Sequence, residues 1–449
     1  MAKPTDVRIV EAHVAVEHLP FRAPLKFGGR IVGEYQIVDV RATVETRSGR
    51  TAVGFGSMPI GHVWAWPASL DSAAAQEAMR RLSERVAENA ARTGEFAHPL
   101  DHGWRLAAEL DRRASEVVGE MGLGEAMPRL AALVAASPVD AAIHDGFGKA
   151  NGINSFLGLG PEFVDRDLAA YLNDDFRGET LDRYVSRGPK PRMPLYHLVG
   201  ALDPLAPADV VQPIGDGLPE TLGEWIAFNG LTHLKIKLAG DDLAWDVDRV
   251  AAVERVAVEA QARRGRREWR YSLDFNEKCR DVDYVLEFLA RLRELAPAAL
   301  ERVQYIEQPM HRDLKARPDA AVHRAASVKP VVVDESLVDF ESLQTARELG
   351  YTGVALKACK GQTESLLMAA AAQKYGMFLC VQDLTCPGPS FLHSAELAAR
   401  IPGVAAIEGN ARQYCPAGNA GWSDRFPGMF RIVDGTVETG LLTGPGLGH

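Results

Sequence analysis

From Met193 onward the chain repeats one unit, a short β-rich run followed by an amphipathic helical stretch, and nearly every run ends on charged residues. The runs occupy residues 195–198, 233–238, 269–275, 303–306, 331–333, 353–356, 377–381 and 404–407. Strands that alternate with helices pair in parallel, and eight of them suffice to close a barrel. The helical stretch after the third run shows the expected apolar face, with Val282, Val285, Leu286, Leu289 and Leu292 at helical spacing. An open, doubly wound sheet is the alternative, because rhythm alone does not prove closure.

In a (β/α) barrel the chemistry sits at the C-terminal ends of the strands. Lys235 and Lys237 close the second run, Asp274 and Asn276 the third, Glu307 the fourth, Asp334 and Glu335 the fifth, Lys357 the sixth, Asp383 the seventh, and Glu408 with Asn410 the eighth. Successive members stand roughly 23 to 37 residues apart, the length of one βα unit. A single acid at such a place is explained by helix capping. Seven consecutive strand ends are not, since burying so many charges in one mouth is costly unless they pair or hold a metal. Asp274, Glu307 and Asp334 come from adjacent strands and offer only oxygens, which suits Mg²⁺, with Mn²⁺ as a substitute. Zinc is disfavoured because no His or Cys joins them.

Alternation along the strand puts Lys235 and Lys237 on one side and Leu234, Ile236 and Leu238 on the helix side. Two ammonium groups so placed repel, and that repulsion, with partial burial near a metal, is expected to lower a lysine pKa toward neutrality and create a general base. Lys357 falls four strands farther round, across the mouth, where a second base could return a proton to the opposite face of a substrate. Two bland readings stay open: lysines that only bind an anion such as phosphate, and a Schiff-base lysine at 237 or 357, which would leave three carboxylates unexplained.

A chain of 449 residues exceeds one ordinary domain and accommodates a barrel of roughly 250 residues plus a second unit. Residues 7–10 and 37–44 alternate like strands around a Gly28-Gly29 turn, and helical patterns follow over 72–92, 104–120 and 128–150, the last ending at the Asn151-Gly152 stop signal. An α+β domain over 1–155, a barrel over 156–420 and a closing segment over 421–449 are expected, the last with strand character at 430–437 and packed back onto the first domain. Loop-rich stretches near 160–191 and 203–219 read as insertions, either covering a site or forming solvated surface.

The net charge of −10 leaves no general basic surface for nucleic acid, so small molecules are the expected partners. No run of 18 or more apolar residues appears, which excludes a membrane-spanning helix. The first residues lack a signal-like apolar stretch, and a cytoplasmic location is expected. Five cysteines, an odd number without metal-finger spacing, read as reduced and buried thiols.

The ordered set Lys-Ile-Lys (235–237), Asp-Phe-Asn (274–276), Glu-Gln-Pro (307–309), Asp-Glu-Ser (334–336) and Leu-Lys (356–357) resembles the muconate lactonizing enzyme subgroup of the enolase superfamily, in the mandelate racemase/muconate lactonizing enzyme family. The resemblance covers nearly the whole chain, from Asp140-Ala-Ala-Ile-His-Asp145 and Gly148-Lys149-Ala150 to Gly444-Pro445-Gly446-Leu447-Gly448. It implies a modified TIM barrel, (β/α)₇β, under an α+β N-terminal capping domain that the C-terminal segment completes. It also implies Asp274, Glu307 and Asp334 as Mg²⁺ ligands, Lys237 and Lys357 as the two acid/base groups, and Lys235 in support of Lys237. Glu335 and Lys360 are expected behind the ligands, and Asn276, Asp383, Glu408 and Asn410 beside the substrate. The implied chemistry is removal of the proton α to a carboxylate through an enediolate. A racemase or epimerase is the leading form, with a lyase (syn-dehydratase or cycloisomerase) or a catalytically silent binding barrel as alternatives. A small-molecule carboxylate as substrate and assembly as a homo-oligomer are expected.

Departures from the subgroup concern the substrate. Glu408-Gly409-Asn410 stands where dipeptide epimerases carry Asp-x-Asp, Gln382-Asp383 replaces a Glu-Ser-like pair, Gly361-Gln362 a Gly-Gly, and Gly54-Phe55-Gly56-Ser57 does not end in Glu. The lack of a His at the seventh strand end argues against the mandelate racemase subgroup. Glu408, helped by Asn410 and Asp383, is expected to receive a cationic or hydrogen-bonding substrate group, unless it merely pairs with Arg412. Phe21, Arg22, Lys26 and Phe27, with Trp64 and Trp66, are candidate contacts to the distal part of the substrate.

Overall fold

Alternating residues at the start of the chain build a longer hairpin than their pattern alone suggests. Strand β1 (Val7–Phe27) runs antiparallel to β2 (Arg30–Thr46), from the pair Val7 and Thr46 to the pair Phe27 and Arg30, and β3 (Thr51–Pro59) adds to β2. The computed structural model describes residues 3–27, 30–67, 69–317 and 319–449, so the expected Gly28-Gly29 turn, like the Phe27 side chain, lies outside the described residues.

Four helices follow, α1 (His62–Ala65), α2 (Ser72–Arg92), α3 (Pro99–Glu120) and α4 (Arg129–Asn151). Almost every residue of α4 is buried, as its continuous small and apolar sequence demands of a helix enclosed on all sides. Its approach to the sheet depends on two glycines: a Cβ on Gly54 would stand 1.9 Å from the Ala142 carbonyl oxygen, and one on Gly56 2.0 Å from that of Pro138. The helix ends where expected, at Gly152 in the left-handed region (φ 67°).

The eight runs after Met193 are strands β4 (Met193–Val199), β5 (His233–Lys237), β6 (Arg270–Asp274), β7 (Val303–Glu307), β8 (Val331–Val333), β9 (Gly353–Leu356), β10 (Phe378–Val381) and β11 (Val404–Glu408). They pair in parallel in chain order, and β11 returns to β4 through Ile407 with Leu195 and Glu408 with Tyr196. That pairing closes the ring and removes the open-sheet alternative. Tyr196, Tyr305, Val332, Ala355, Cys380 and Ala406 pack together inside it, so the barrel is a filled core.

The closing segment differs from its pattern. Only Thr436–Val437 form a strand, β12, and it pairs antiparallel with β4 of the barrel. The helical turn Pro427–Phe430 and a turn at Asp434-Gly435, both with positive φ, consume the rest of the expected run. Farther on, Gly446 N donates to Ile153 O (3.0 Å) and Leu447 N to Asp145 Oδ1 (2.9 Å), which fastens the end of the chain to α4 and the residues after it.

The stretch near 160–191 packs in part on the outside of the barrel. Its short 3₁₀ turns bury Leu168, Phe176 and Leu181. Gln373 Nε2 donates to Tyr184 O (2.9 Å) and Lys374 meets Glu179 (3.0 Å), which holds the stretch on the barrel's outer helix Gln362–Lys374. The stretch near 203–219 instead reaches the capping hairpin: Arg22 clasps Asp216 through Nε and Nη2 and donates to the carbonyls of Leu218 and Pro219. All five cysteines are buried and free, and among the described residues no helix is long and apolar enough to cross a membrane.

Candidate active site

Strand register assembles the polar mouth. Lys237 lies beside Asp274 across β5 and β6, and Asp274 beside Glu307 across β6 and β7. Glu307 neighbours Val332, so Asp334, two residues beyond, comes to the same face. β9, which carries Lys357 at its end, stands four strands from β5 in a ring of eight, the farthest separation available. All of the expected metal ligands and lysines are buried at this end of the barrel.

Within the mouth each lysine meets carboxylates. Lys235 Nζ lies 2.8 Å from Glu307 Oε1, 3.0 Å from Glu408 Oε2 and 3.1 Å from Asp274 Oδ2. Lys237 Nζ donates to the same Asp274 oxygen at 2.5 Å. Across the mouth Lys357 Nζ lies 2.8 Å from Asp334 Oδ2, and Lys360 Nζ donates to Asp334 O (2.5 Å) and Oδ1 (3.1 Å).

Lys235 is not a lysine of lowered pKa, which agrees with a supporting place beside Lys237. Burial opposes its charge, yet Glu307, Glu408 and Asp274 carry it well above the ordinary lysine value. Lys357 is raised too: burial opposes it and Asp334 prevails. Oδ2 of Asp274 is shared by the two β5 lysines, 3.1 Å from Lys235 Nζ and 2.5 Å from Lys237 Nζ.

The acids show the reverse strain. Glu307 is pushed well above the usual carboxylate range by burial and then by Asp274, and Glu335 is pushed up to about 7 by burial and then by Asp334. Burial and Glu408 push Asp383 up to about 7 as well. Burial opposes ionisation of Asp274 and Asp334 also, but the lysines beside them hold both below the usual range.

Charge counting gives the test of a metal. Asp274, Glu307, Asp334, Glu335, Asp383 and Glu408 are six buried carboxyls, facing the four buried lysines 235, 237, 357 and 360, an excess of two acids. Oε2 of Glu335 and Oδ1 of Asp383 are buried without a hydrogen-bond partner. An oxygen-only donor set with two surplus acids fits a hard divalent cation. Among the described residues no three acidic, His or Cys side chains converge as a ready cage, because the ammonium groups occupy the space between the carboxylates.

The remaining candidates divide. Asn276 is at the mouth: its N–H donates to Asp274 Oδ1 (2.8 Å) and its amide reaches Glu335 Oε1 (3.5 Å). Glu408 is bound at both oxygens, by Lys235 and by Asn410 Nδ2 (3.0 Å). It does not pair with Arg412, which instead donates from Nη2 to His197 Nδ1 (2.6 Å). Asp383 stands aside from the lysines, with Oδ2 accepting from the N–H groups of Cys386 (3.2 Å) and Asn410 (3.3 Å).

Among the capping candidates, Arg22 is consumed by its clasp, Phe21 packs on Tyr35 and Tyr414, Lys26 is exposed, and Trp66 is buried in the core. Trp64 alone of the two tryptophans reaches the charged cluster, donating to Glu335 Oε1 at 2.9 Å. A cavity of about 600 Å³ lies between Arg22, Leu198, Leu202 and Trp225; Arg22 lines it, and the metal-ligand and lysine candidates do not.

Gln308 is a residue whose part the sequence reading missed. Its Oε1 accepts from the N–H groups of Asp334 (2.9 Å) and Ser336 (3.3 Å), and its Nε2 donates to Met310 O and Ser336 Oγ, which locks the end of β7 to the end of β8. Its signal lay in the Glu-Gln-Pro triplet itself, a buried amide between a charged strand end and a proline. Asn276, Glu277, Gln308 and Thr385 all hold positive φ at strand ends, and such strain gathers where side chains must be aimed.

A family model described as Enolase C-terminal domain-like matches residues 218–449. An aromatic dipeptide epimerase from Herpetosiphon aurantiacus is 27% identical over 260 residues, which span 57% of this chain and 66% of that relative's length. An enolase from Bradyrhizobium, crystallised with magnesium and mandelic acid, superimposes with a TM-score of 0.62 at 18% identity, over 99% of this chain and 95% of that one. A muconate lactonizing enzyme from Pseudomonas fluorescens, complexed with muconolactone, gives 0.60 at 16% identity, over 99% and 96%.

Proposed function

Because the chain belongs to the Enolase C-terminal domain-like family, we propose that it is a Mg²⁺-dependent enzyme that removes the proton α to a carboxylate and returns it to the other face, as a racemase or epimerase. The observation that carries this reading is the pair of buried lysines, 237 and 357, on opposite strands of the ring with carboxylates of three adjacent strands between them.

Asp274, Glu307 and Asp334 would hold the cation, and Mn²⁺ would serve in its place. Bound there, it would supply positive charge against the second negative charge that develops on the substrate carboxylate as the proton leaves. Lys237 Nζ and Lys357 Nζ each hold or take a proton, one on each side of the α-carbon. Lys235, gripped by Glu307, Glu408 and Asp274, stays protonated and adds fixed positive charge beside Lys237. Lys360 and Gln308 aim Asp334, and the buried mouth excludes water from the reacting carbon.

The substrate's distal group meets Asp383 and Asn410 rather than Glu408, whose two oxygens are taken. Asp383 Oδ1 and Asn410 Oδ1 are buried acceptors without a donor, so a group bearing N–H or O–H fits them. An N-substituted amino acid or a dipeptide has such a group.

The test is α-deuterium uptake in D₂O with Mg²⁺ or Mn²⁺, over a panel of dipeptides, N-acyl amino acids and hydroxy acids. Uptake reports the first step whether racemisation, elimination or cycloisomerisation follows. Lys237→Met and Lys357→Met should each lower it for one enantiomer by about 10²- to 10⁴-fold. Full exchange of both enantiomers in both variants would refute the two-lysine reading.

A further inference from the structure

We infer that Trp64 is a positioning residue for Lys357: the capping domain holds this indole against the ammonium group and so fixes where the amine can reach. The inference rests on the proton-transfer role proposed above for Lys357. Helix α1, which carries Trp64, is a single turn following β3, and it is fastened to the barrel from two sides. Arg312, after β7, donates from Nη2 to the Trp64 carbonyl (3.0 Å) and from Nη1 to the Ala65 carbonyl (3.4 Å), while its Nε holds Glu277 Oε2 (2.8 Å). The indole Nε1 donates to Glu335 Oε1 at 2.9 Å. With its backbone and its N–H both engaged, the ring cannot swing.

The ring centroid lies 4.3 Å from Lys357 Nζ, within the range in which an aromatic face attracts a cation. Lys360 Nζ lies farther off, at 5.8 Å. Lys357 is therefore held from two directions, by Asp334 Oδ2 at 2.8 Å and by the indole. A free lysine stem samples many rotamers, whereas proton transfer needs the reacting atoms within hydrogen-bond reach. Restricting the amine before the substrate arrives removes that ordering cost from the catalytic step. Trp64 is buried, so no solvent competes for the ring face. The same indole also ties the seating of the cap to the reach of one lysine, because α1 follows directly on β3 of the capping sheet.

Two measurements on Trp64→Leu and Trp64→Phe separate this inference from the function on which it rests. Reductive methylation with formaldehyde and cyanoborohydride, mapped by mass spectrometry, reads the Lys357 amine without any substrate. Labelling of Lys357 should rise about tenfold in Trp64→Leu and stay near wild type in Trp64→Phe, which keeps the aromatic face. In deuterium exchange, Trp64→Leu should lower kcat by about ten- to hundredfold for the enantiomer that Lys357 serves, with KM changed less than about twofold and the other enantiomer spared. Trp64→Phe should restore most of that loss. Unchanged Lys357 labelling in Trp64→Leu, equal loss for both enantiomers, or a Phe variant as impaired as the Leu variant would overturn the inference. A wild-type enzyme that exchanges no acid of the panel would refute the proposed function instead, and the labelling would still decide whether the ring holds the amine.

Discussion

Two buried polar clusters in this molecule have opposite characters. At the seam between cap and barrel, His144 Nε2 meets Thr363 Oγ1 (2.9 Å), which donates to Asp140 Oδ1 (2.8 Å), while the Thr363 N–H donates to Asp140 Oδ2 (2.7 Å). His98 and His102 each hold a backbone carbonyl nearby, those of Gly158 (3.0 Å) and Val7 (2.8 Å). Burial drives His98 and His144 down to about 3, so the histidines are neutral and the hydrogen bonds run in one sequence. The mouth instead crowds six buried carboxyls against four lysines and leaves Glu335 Oε2 and Asp383 Oδ1 without a hydrogen-bond partner. A satisfied cluster contributes to stability, and an unbalanced one is kept at a cost to stability because something else binds there.

The largest effect should come from removing an acid at the mouth. Glu307→Gln should lower α-proton exchange by about 10²- to 10³-fold while leaving the melting temperature unchanged or higher. The reason is that burial and Asp274 outweigh the attraction of Lys235 at Glu307, so the fold already disfavours its ionised form and loses little when the charge is removed. A melting temperature that falls by many degrees would make the mouth as structural as the seam and end the contrast.

The matching substitution at the seam should do the opposite. Asp140→Asn replaces an acceptor of two hydrogen bonds by an amide whose nitrogen must face a donor. A loss of about 2 to 3 kcal/mol in a urea titration is expected, with kcat for exchange unchanged. Should kcat fall in step with stability, the seam would be part of the catalytic apparatus.

A smaller effect concerns pH. Folded His144 takes up a proton only near pH 3, whereas in the unfolded chain its ordinary value is 6.5. Between those values the unfolded state binds more protons, so this residue's contribution to stability is full above about pH 6.5 and is lost as the pH falls. At pH 5 that loss is about 2 kcal/mol. In His144→Asn the difference in unfolding free energy between pH 7 and pH 5 should shrink by that amount. An unaltered difference would mean that the histidine is already charged in the fold.

Much of the barrel and the membership of its mouth were legible in the residues themselves. A βα unit has a nearly fixed length and strand side chains alternate, so the spacing of Lys235, Asp274, Glu307, Asp334, Lys357, Asp383 and Glu408 specified which groups share one end of the ring. The cap's helices were legible for the same reason, because α2 and α4 carry their own period and stop signals. The partners within the mouth were not. Parity placed Lys235 and Lys237 side by side, but only the register of β6 brought Asp274 to both of them, and Glu307, Glu408 and Asp274 together raise Lys235. Glu408 turned to Lys235 and Arg412 to His197, choices settled by packing across the barrel rather than along the chain. Trp64 reached Lys357 only because the cap seats on the barrel through Arg312 and Glu335. Periodicity reports which face a side chain occupies; the group opposite it comes from a distant part of the chain, and only the folded arrangement supplies that.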